Sequence, residues 1–238
     1  MKKWRWDYNG RRLEDRKIKR LDIKKIKNIK KYKAVLFDMD GVIVDSMPYH
    51  FISWFETLKK YDVTVSPFDI YEKEGEKCEV CVQRFFKREK IECSDKTVNE
   101  VLKLRDKLYK KYFKFFLFPD IEIVLKKLKE KNMKLAIVTG SAKAKVVSML
   151  PKKIISLFDV IVSADMVKRG KPYPDSYLTA ARRLNIVPSE CMVVENAPYG
   201  IKAAKAAKMF CVAVTTSLPE QYLKQADFIC KKVKDILL

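Results

Sequence analysis

The chain has 238 residues, 48% of them hydrophobic, and a formal charge of +21. That length allows one sizeable hydrophobic core and a smaller second unit. No apolar run is long enough to cross a bilayer, no signal-peptide pattern is present and the six cysteines do not form a disulfide framework, so a cytoplasmic protein is expected rather than a membrane or secreted one.

The charge is unevenly distributed. The first 33 residues hold 15 Lys/Arg and 4 Asp/Glu, a net +11, which leaves +10 for the other 205. Much of the remainder is Lys on amphipathic helices, a solvated face. Residues 1–32 mix the basic run with Trp4, Trp6 and Tyr8. Two readings are open: a tether for nucleic acid or an anionic membrane surface, or a flexible, solvated extension, which is the preferred expectation. Acids at Asp7, Glu14, Asp15 and Asp22 argue against a transit peptide.

Next comes the apolar run Ala34-Val35-Leu36-Phe37, which ends in Asp38-Met39-Asp40-Gly41. A short apolar run ending in two acids and a glycine reads as a buried parallel strand that opens into a site. Carboxylates at i and i+2 on an extended chain point to the same side, and they repel unless a cation or a proton settles the charge. The arrangement suits a magnesium ion, an aspartyl nucleophile and a neighbouring acid/base. Gly41 lets the backbone turn beside a ligand.

The pattern then turns helical, with helices expected over 47–60, 78–90 and 95–116 and a turn-rich loop over 61–77 holding Pro67 and Gly75. Cys78, Cys81 and Cys93 fall in this region. With His50 they offer zinc ligands, but a second tight pair is missing, so reduced structural thiols are the preferred reading. From about residue 118, strand runs at 134–139, 158–163, 191–195, 210–214 and 227–229 alternate with helices near 119–131, 141–149, 174–184, 198–208 and 219–225. Pro174 and Pro198 suit first helical turns. The alternation predicts an α/β fold, a doubly wound parallel sheet with its site at the carboxyl ends of the strands.

Four strings sit at such ends: Asp38 to Ser46 (DMDGVIVDS), Thr139-Gly140-Ser141, Gly170-Lys171-Pro172-Tyr173-Pro174-Asp175, and Cys191 to Gly200 with Glu195 and Asn196 inside it. In this order they resemble motifs I to IV of the haloacid dehalogenase superfamily, over roughly residues 33–238. The resemblance implies a Rossmann-like core of residues 33–46 and 118–238, and a small all-helical cap inserted at 47–117. It implies a Mg2+-dependent phosphohydrolase with Asp38 as nucleophile, forming an aspartyl-phosphate with one carboxylate oxygen on magnesium. Asp40 would be the acid/base, its backbone carbonyl also on the metal. Thr139 and the amides after it, Gly140 included, would donate to phosphoryl oxygens, and Lys171 would offset their charge.

Glu195 and Asn196 stand where the family commonly has two acids as magnesium ligands. An amide oxygen can ligate, but with one negative charge fewer the metal is held less tightly. Glu74, beside Gly75, is the candidate to compensate, because a pyrophosphatase-like branch pairs an ENAP string with a cap Glu in an EG dipeptide; the other reading of Glu74 is a solvated charge. His50, twelve residues after Asp38, stands where phosphomutase-like relatives have a histidine that controls protonation of the second acid. Mutases also carry a cation in the cap loop. Glu76 departs from that pattern, and Lys77 or Arg84 is left to substitute. Asp45 and Ser46 are expected to shape the loop into the cap, and Asp175 to act as a helix N-terminal charge. Dehalogenating relatives lack the second acid, so Asp40 favours oxygen leaving groups.

The expected function is therefore a phosphohydrolase for small phosphorylated metabolites, such as sugar phosphates or pyrophosphate. Two alternatives stay open: a phosphomutase of the β-phosphoglucomutase type, and a non-enzymatic nucleic-acid-binding protein that uses the basic arm.

Overall fold

The computed structural model describes residues 31–237, so the basic arm and any surface it would bind lie almost wholly outside the described residues. Strand β1, Ala34–Phe37, is buried along its whole length. It has a parallel neighbour on each side, β2 (Lys134–Val138) and β4 (Cys191–Glu195). A strand covered on both faces has no polar side to present, hence the unbroken apolar run. With β3 (Val160–Val162), β5 (Phe210–Val214) and β6 (Phe228–Cys230), the sheet runs β3-β2-β1-β4-β5-β6, every pair parallel. The chain order reverses at β1, between β2 on one side and β4 on the other, and such a switch point opens a crevice at the carboxyl edge.

One face of the sheet packs on α5 (Ile121–Glu130), α6 (Lys143–Met149) and α7 (Lys152–Ile155), with Leu125, Leu128, Val146 and Ile154 in that core. The other face packs on α8 (Asp175–Leu184) and α9 (Pro198–Ala206), where Tyr177, Ala180, Ile201 and Ala204 fill the space. Register carries three of the four motifs to one edge. Phe37 pairs with Ile137 and with Val194, so Asp38, Thr139 and Glu195 emerge together.

Between β1 and β2 the chain forms α1 (Met47–Leu58), α2 (Pro67–Tyr71), α3 (Cys78–Arg88) and α4 (Asp95–Tyr112). These helices have their own hydrophobic cluster, built on Trp54, Phe85, Phe86, Val98 and Val101. The two strands of chain that join this insertion to the sheet run side by side, with Val44 bridged to Leu117 and Asp45 N donating to Phe116 O at 2.9 Å.

The structure departs from the expected elements at several points. The 61–77 loop contains α2, because Ser66 and Asp69 close a capping box around Pro67: the Asp69 amide donates to Ser66 Oγ at 3.3 Å and the Ser66 amide to Asp69 Oδ2 at 2.8 Å. Helix α4 stops at Tyr112, where Phe113 turns extended to return the chain to the sheet. The expected helix at 219–225 is only a short 3-10 turn, Glu220–Tyr222, and α7 was not foreseen. No helix among the described residues is long and apolar enough to cross a membrane.

Candidate active site

Asp38 leaves β1 buried, and Lys171 reaches it from the loop before α8. Lys171 Nζ donates to Asp38 Oδ1 at 2.6 Å, to Glu195 Oε1 at 2.6 Å and to the Val138 carbonyl at 3.3 Å. Burial disfavours the ammonium, yet Asp38 and Glu195 at bonding distance outweigh it and hold its pKa above the ordinary lysine value. Asp38 is also pushed upward from its usual range. Burial raises its pKa well above that of a solvated carboxyl; Lys171 opposes, while Glu195, Glu74 and Asp40 add repulsion.

Glu195, expected to ligate a metal, already accepts from four donors. Oε1 accepts from Lys171 and from the Tyr177 hydroxyl at 2.7 Å, and Oε2 accepts from the amides of Asn196 and Ala197 at 2.9 and 3.3 Å. A carboxylate offers about four lone-pair sites, and four donors fill them. Asn196 differs: its nitrogen donates to Ser217 Oγ at 2.9 Å, while its oxygen, like Asp38 Oδ2, is buried without a partner.

Asp40 faces the insertion. Its Oδ1 accepts from Ser46 Oγ at 2.6 Å and lies 3.1 Å from His50 Nε2, and its Oδ2 accepts from Ser141 Oγ at 3.3 Å. Burial would raise its pKa, but His50, Lys145 and Ser46 together overcome that and hold the carboxyl well below its usual range. Ser46 therefore does more than shape a loop, because it bonds directly to the second acid. Asp45 stays exposed on the surface.

His50 is buried between two elements. Arg105, from α4, lies with Nη2 2.5 Å from His50 Nδ1. A guanidinium only donates, so Nδ1 carries no proton, and the neutral ring donates from Nε2 to Asp40. Burial, then Lys145 and Arg105, pull the His50 pKa down to about 4 against the opposing pull of Asp40. Arg105 itself is 6% exposed and packs over Trp54 and Tyr109. The sequence held a signal for it: a cation at spacings of four within the apolar stripe Val98, Val101, Arg105, Tyr109. Lys145 of α6 was also missed; its Nζ lies 3.9 Å from the centre of the Tyr109 ring.

The insertion's loop at residues 72–77 rests on the core through glycine. Gly75 has φ +87, and a Cβ there would lie 2.3 Å from Lys171 Cδ, while one on Gly140 would lie 2.8 Å from Gly75 Cα. This contact carries Glu74 into the cleft instead of leaving it a solvated charge. Burial and Asp40 push the Glu74 pKa up to about 7, against Lys171, Lys145 and Arg105. Lys77 lines the same cleft, whereas Arg84 is engaged by Glu76 at 3.0 Å. Thr139 is buried at the end of β2, and its hydroxyl oxygen accepts from the Ser141 amide at 3.0 Å. Asp175 opens α8 and pairs with Arg169 at 2.9 Å. The cleft has a volume of about 420 Å³ and is lined among others by His50, Trp54, Glu74, Arg105 and Lys145, a size suited to a small metabolite.

A family model described as haloacid dehalogenase-like hydrolase matches residues 35–214. The chain is 32% identical over 216 residues to the β-phosphoglucomutase of Bacillus subtilis, covering 87% of this chain and 92% of the relative. It is 30% identical over 216 residues to validoxylamine A 7'-phosphate phosphatase of Streptomyces hygroscopicus, covering 86% and 96%. Among solved structures, β-phosphoglucomutase from Clostridium difficile superposes with a TM-score of 0.73 at 26% identity, covering 84% of this chain and 91% of that one.

Proposed function

The chain belongs to the haloacid dehalogenase-like hydrolases, and on that premise we propose that it is a magnesium-dependent phosphatase of small phosphorylated metabolites, working through an aspartyl-phosphate on Asp38. The observation that carries this reading is the contrast between Asp38 and Asp40, two residues apart at one sheet edge: Asp38 is bonded by Lys171, and Asp40 by Ser46, His50 and Ser141. One acid faces the cation that would steady a phosphoryl group. The other faces proton donors.

The residues fit a divalent cation. Among the described residues no three His, Cys, Asp or Glu side chains could hold a metal by themselves. Two orphaned, buried oxygens nevertheless meet the need of magnesium for oxygen donors: Asp38 Oδ2 and Asn196 Oδ1. These two, with the Asp40 backbone carbonyl that the motif implies, would hold the ion. When bound, it supplies positive charge to the phosphoryl oxygens and favours the ionised form of Asp38.

Asp38 would attack phosphorus as the bond to the leaving oxygen breaks, with Lys171 and the Thr139 hydroxyl stabilising the charge that spreads over the equatorial oxygens. Asp40, held as an anion, is suited to take the proton from the water that cleaves the aspartyl-phosphate. An arriving phosphate dianion raises the proton affinity of Asp40, which suits it to protonate the leaving oxygen first. His50 keeps its own proton on Nε2 and orients Asp40.

A second reading, a phosphomutase of the β-phosphoglucomutase type, is favoured by one observation: His50 Nε2 stands 3.1 Å from Asp40. The test is phosphate release with and without magnesium from pyrophosphate and a panel of sugar and nucleotide monophosphates. Magnesium-dependent turnover is expected, with a loss of roughly 10³-fold or more in Asp38→Asn. Isomer formation that needs a bisphosphorylated activator and releases no phosphate would replace the phosphatase with the mutase.

A further inference from the structure

The loop after β5 carries Thr216 and Ser217, to which the motif pattern assigns nothing. Thr216 Oγ1 donates to the Gly41 carbonyl at 2.5 Å, and Ser217 Oγ lies 2.9 Å from Asn196 Nδ2. The loop thus holds the turn after Asp40 and the side chain after Glu195 together. The fit is tight: a Cβ on Gly41 would lie 2.1 Å from Asn196 Nδ2 and 2.8 Å from Ser217 Oγ.

A side-chain amide has two ends of opposite chemistry, two N–H donors and an oxygen with lone pairs. Turned one way it binds a cation; turned the other way it repels one. A carboxylate has no such problem, because both of its oxygens accept. Where the family's pattern has an acid, this chain has Asn196, so the orientation of its amide needs a cause. Asn196 is fully buried, its nitrogen bonds to Ser217 and its oxygen has no partner.

We propose that Ser217 is a positioning residue for the metal: by accepting a hydrogen bond from Asn196 Nδ2 it leaves the amide oxygen for magnesium. This rests on the magnesium reading given above. Removing the Ser217 hydroxyl leaves the buried nitrogen without an acceptor, and the amide loses its preference for the cation-binding orientation. With an acid at position 196 the orientation requirement disappears, and with it the role of Ser217.

The experiment is calorimetric titration of magnesium chloride into wild type, Ser217→Ala, Ser217→Thr, Asn196→Asp and the Asn196→Asp/Ser217→Ala double variant, with no substrate present. Ser217→Ala is expected to bind about tenfold more weakly and Ser217→Thr close to wild type. Asn196→Asp is expected to bind more tightly, and adding Ser217→Ala to it to cost less than about twofold. Wild-type affinity in Ser217→Ala overturns the proposal. So does an equal loss in the Asn and Asp backgrounds, which would make Ser217 a support of the loop and nothing more. If Ser217→Ala fails to fold, the Ser217→Thr and double-variant titrations carry the same decision: a tenfold loss in either one overturns it. Absence of magnesium binding by wild type overturns the underlying magnesium reading, a result separate from any change between variants.

Discussion

The two sides of the site, the sheet edge and the insertion, handle buried charge in different ways. On the sheet side, Asp38, Lys171, Glu195 and Tyr177 bond to one another with contacts of 2.6 to 2.7 Å, all from the core, and leave Asp38 Oδ2 without a partner. On the insertion side, the state of Asp40 depends on His50 of α1, and the state of His50 depends on Arg105 of α4, 55 residues further on. The nucleophile's hydrogen bond is thus set by the sheet edge and the loop before α8. The proton-transfer group is set by an insertion that must rest on the core to do it. That contact includes Gly75 against Lys171 and Gly140, Lys145 over the Tyr109 ring at 3.9 Å, Phe68 against Tyr222 at 4.7 Å, and the Tyr199 amide on the Glu72 carbonyl at 3.3 Å. A shift of the insertion wall would alter Asp40, which bonds to His50, far more than Asp38.

Lys171→Met tests the sheet wall and carries the largest expected effect. It leaves Asp38 and Glu195 buried without their shared cation, at a cost of about 3–5 kcal/mol in urea unfolding at pH 7, and it abolishes turnover. A loss below about 1 kcal/mol would mean that the sheet wall relaxes into water and is no more fixed than the other. Gly75→Ala tests the contact between the walls. The new methyl group collides with the Lys171 stem at a residue with φ +87, so the insertion must shift. The expected result is a fall of about 10²-fold in kcat/KM, with the core's unfolding free energy lower by no more than about 2 kcal/mol. A variant that loses neither would show that the loop does not need this seat.

The same division explains what was legible in the sequence. Strands β4 and β5 match the expected 191–195 and 210–214 residue for residue, because an apolar run bounded by turn residues is a local signal. The motif residues were legible because they cluster at those strand ends. Lys145 and Ser217 were not, since each acts on a partner brought near only by the fold, and the apolar stripe around Arg105 signalled its burial but not its partner. The filled lone pairs of Glu195 belong to the same class: two of its four donors, Lys171 and Tyr177, come from other elements. Helix α2 is a different kind of miss. Its capping box is present in Ser66-Pro67-Phe68-Asp69, and Pro67 marks a first helical turn there although proline is as common in loops.

The smallest expected effect tests whether the insertion wall stays closed in solution. Ring nitrogens of His50 face Asp40 and Arg105, with Lys145 and Tyr109 also against it, and the folded pKa lies at about 4, below the ordinary 6.5. The unfolded chain therefore binds the proton first as pH falls. Stability from this group is full above about pH 6.5 and is lost on acidification toward pH 4. Between pH 7 and pH 5 the loss is about 2 kcal/mol. In His50→Gln, an amide can still donate to Asp40 and accept from Arg105, but it cannot titrate. Urea unfolding in magnesium-free buffer should then show an acid-side decline smaller than wild type by that amount. Equal declines in the two proteins would mean that the wild-type imidazole titrates as if solvated. The insertion would then spend much of its time away from the core, and the low proton affinity of Asp40 would belong only to a closed, substrate-bound form.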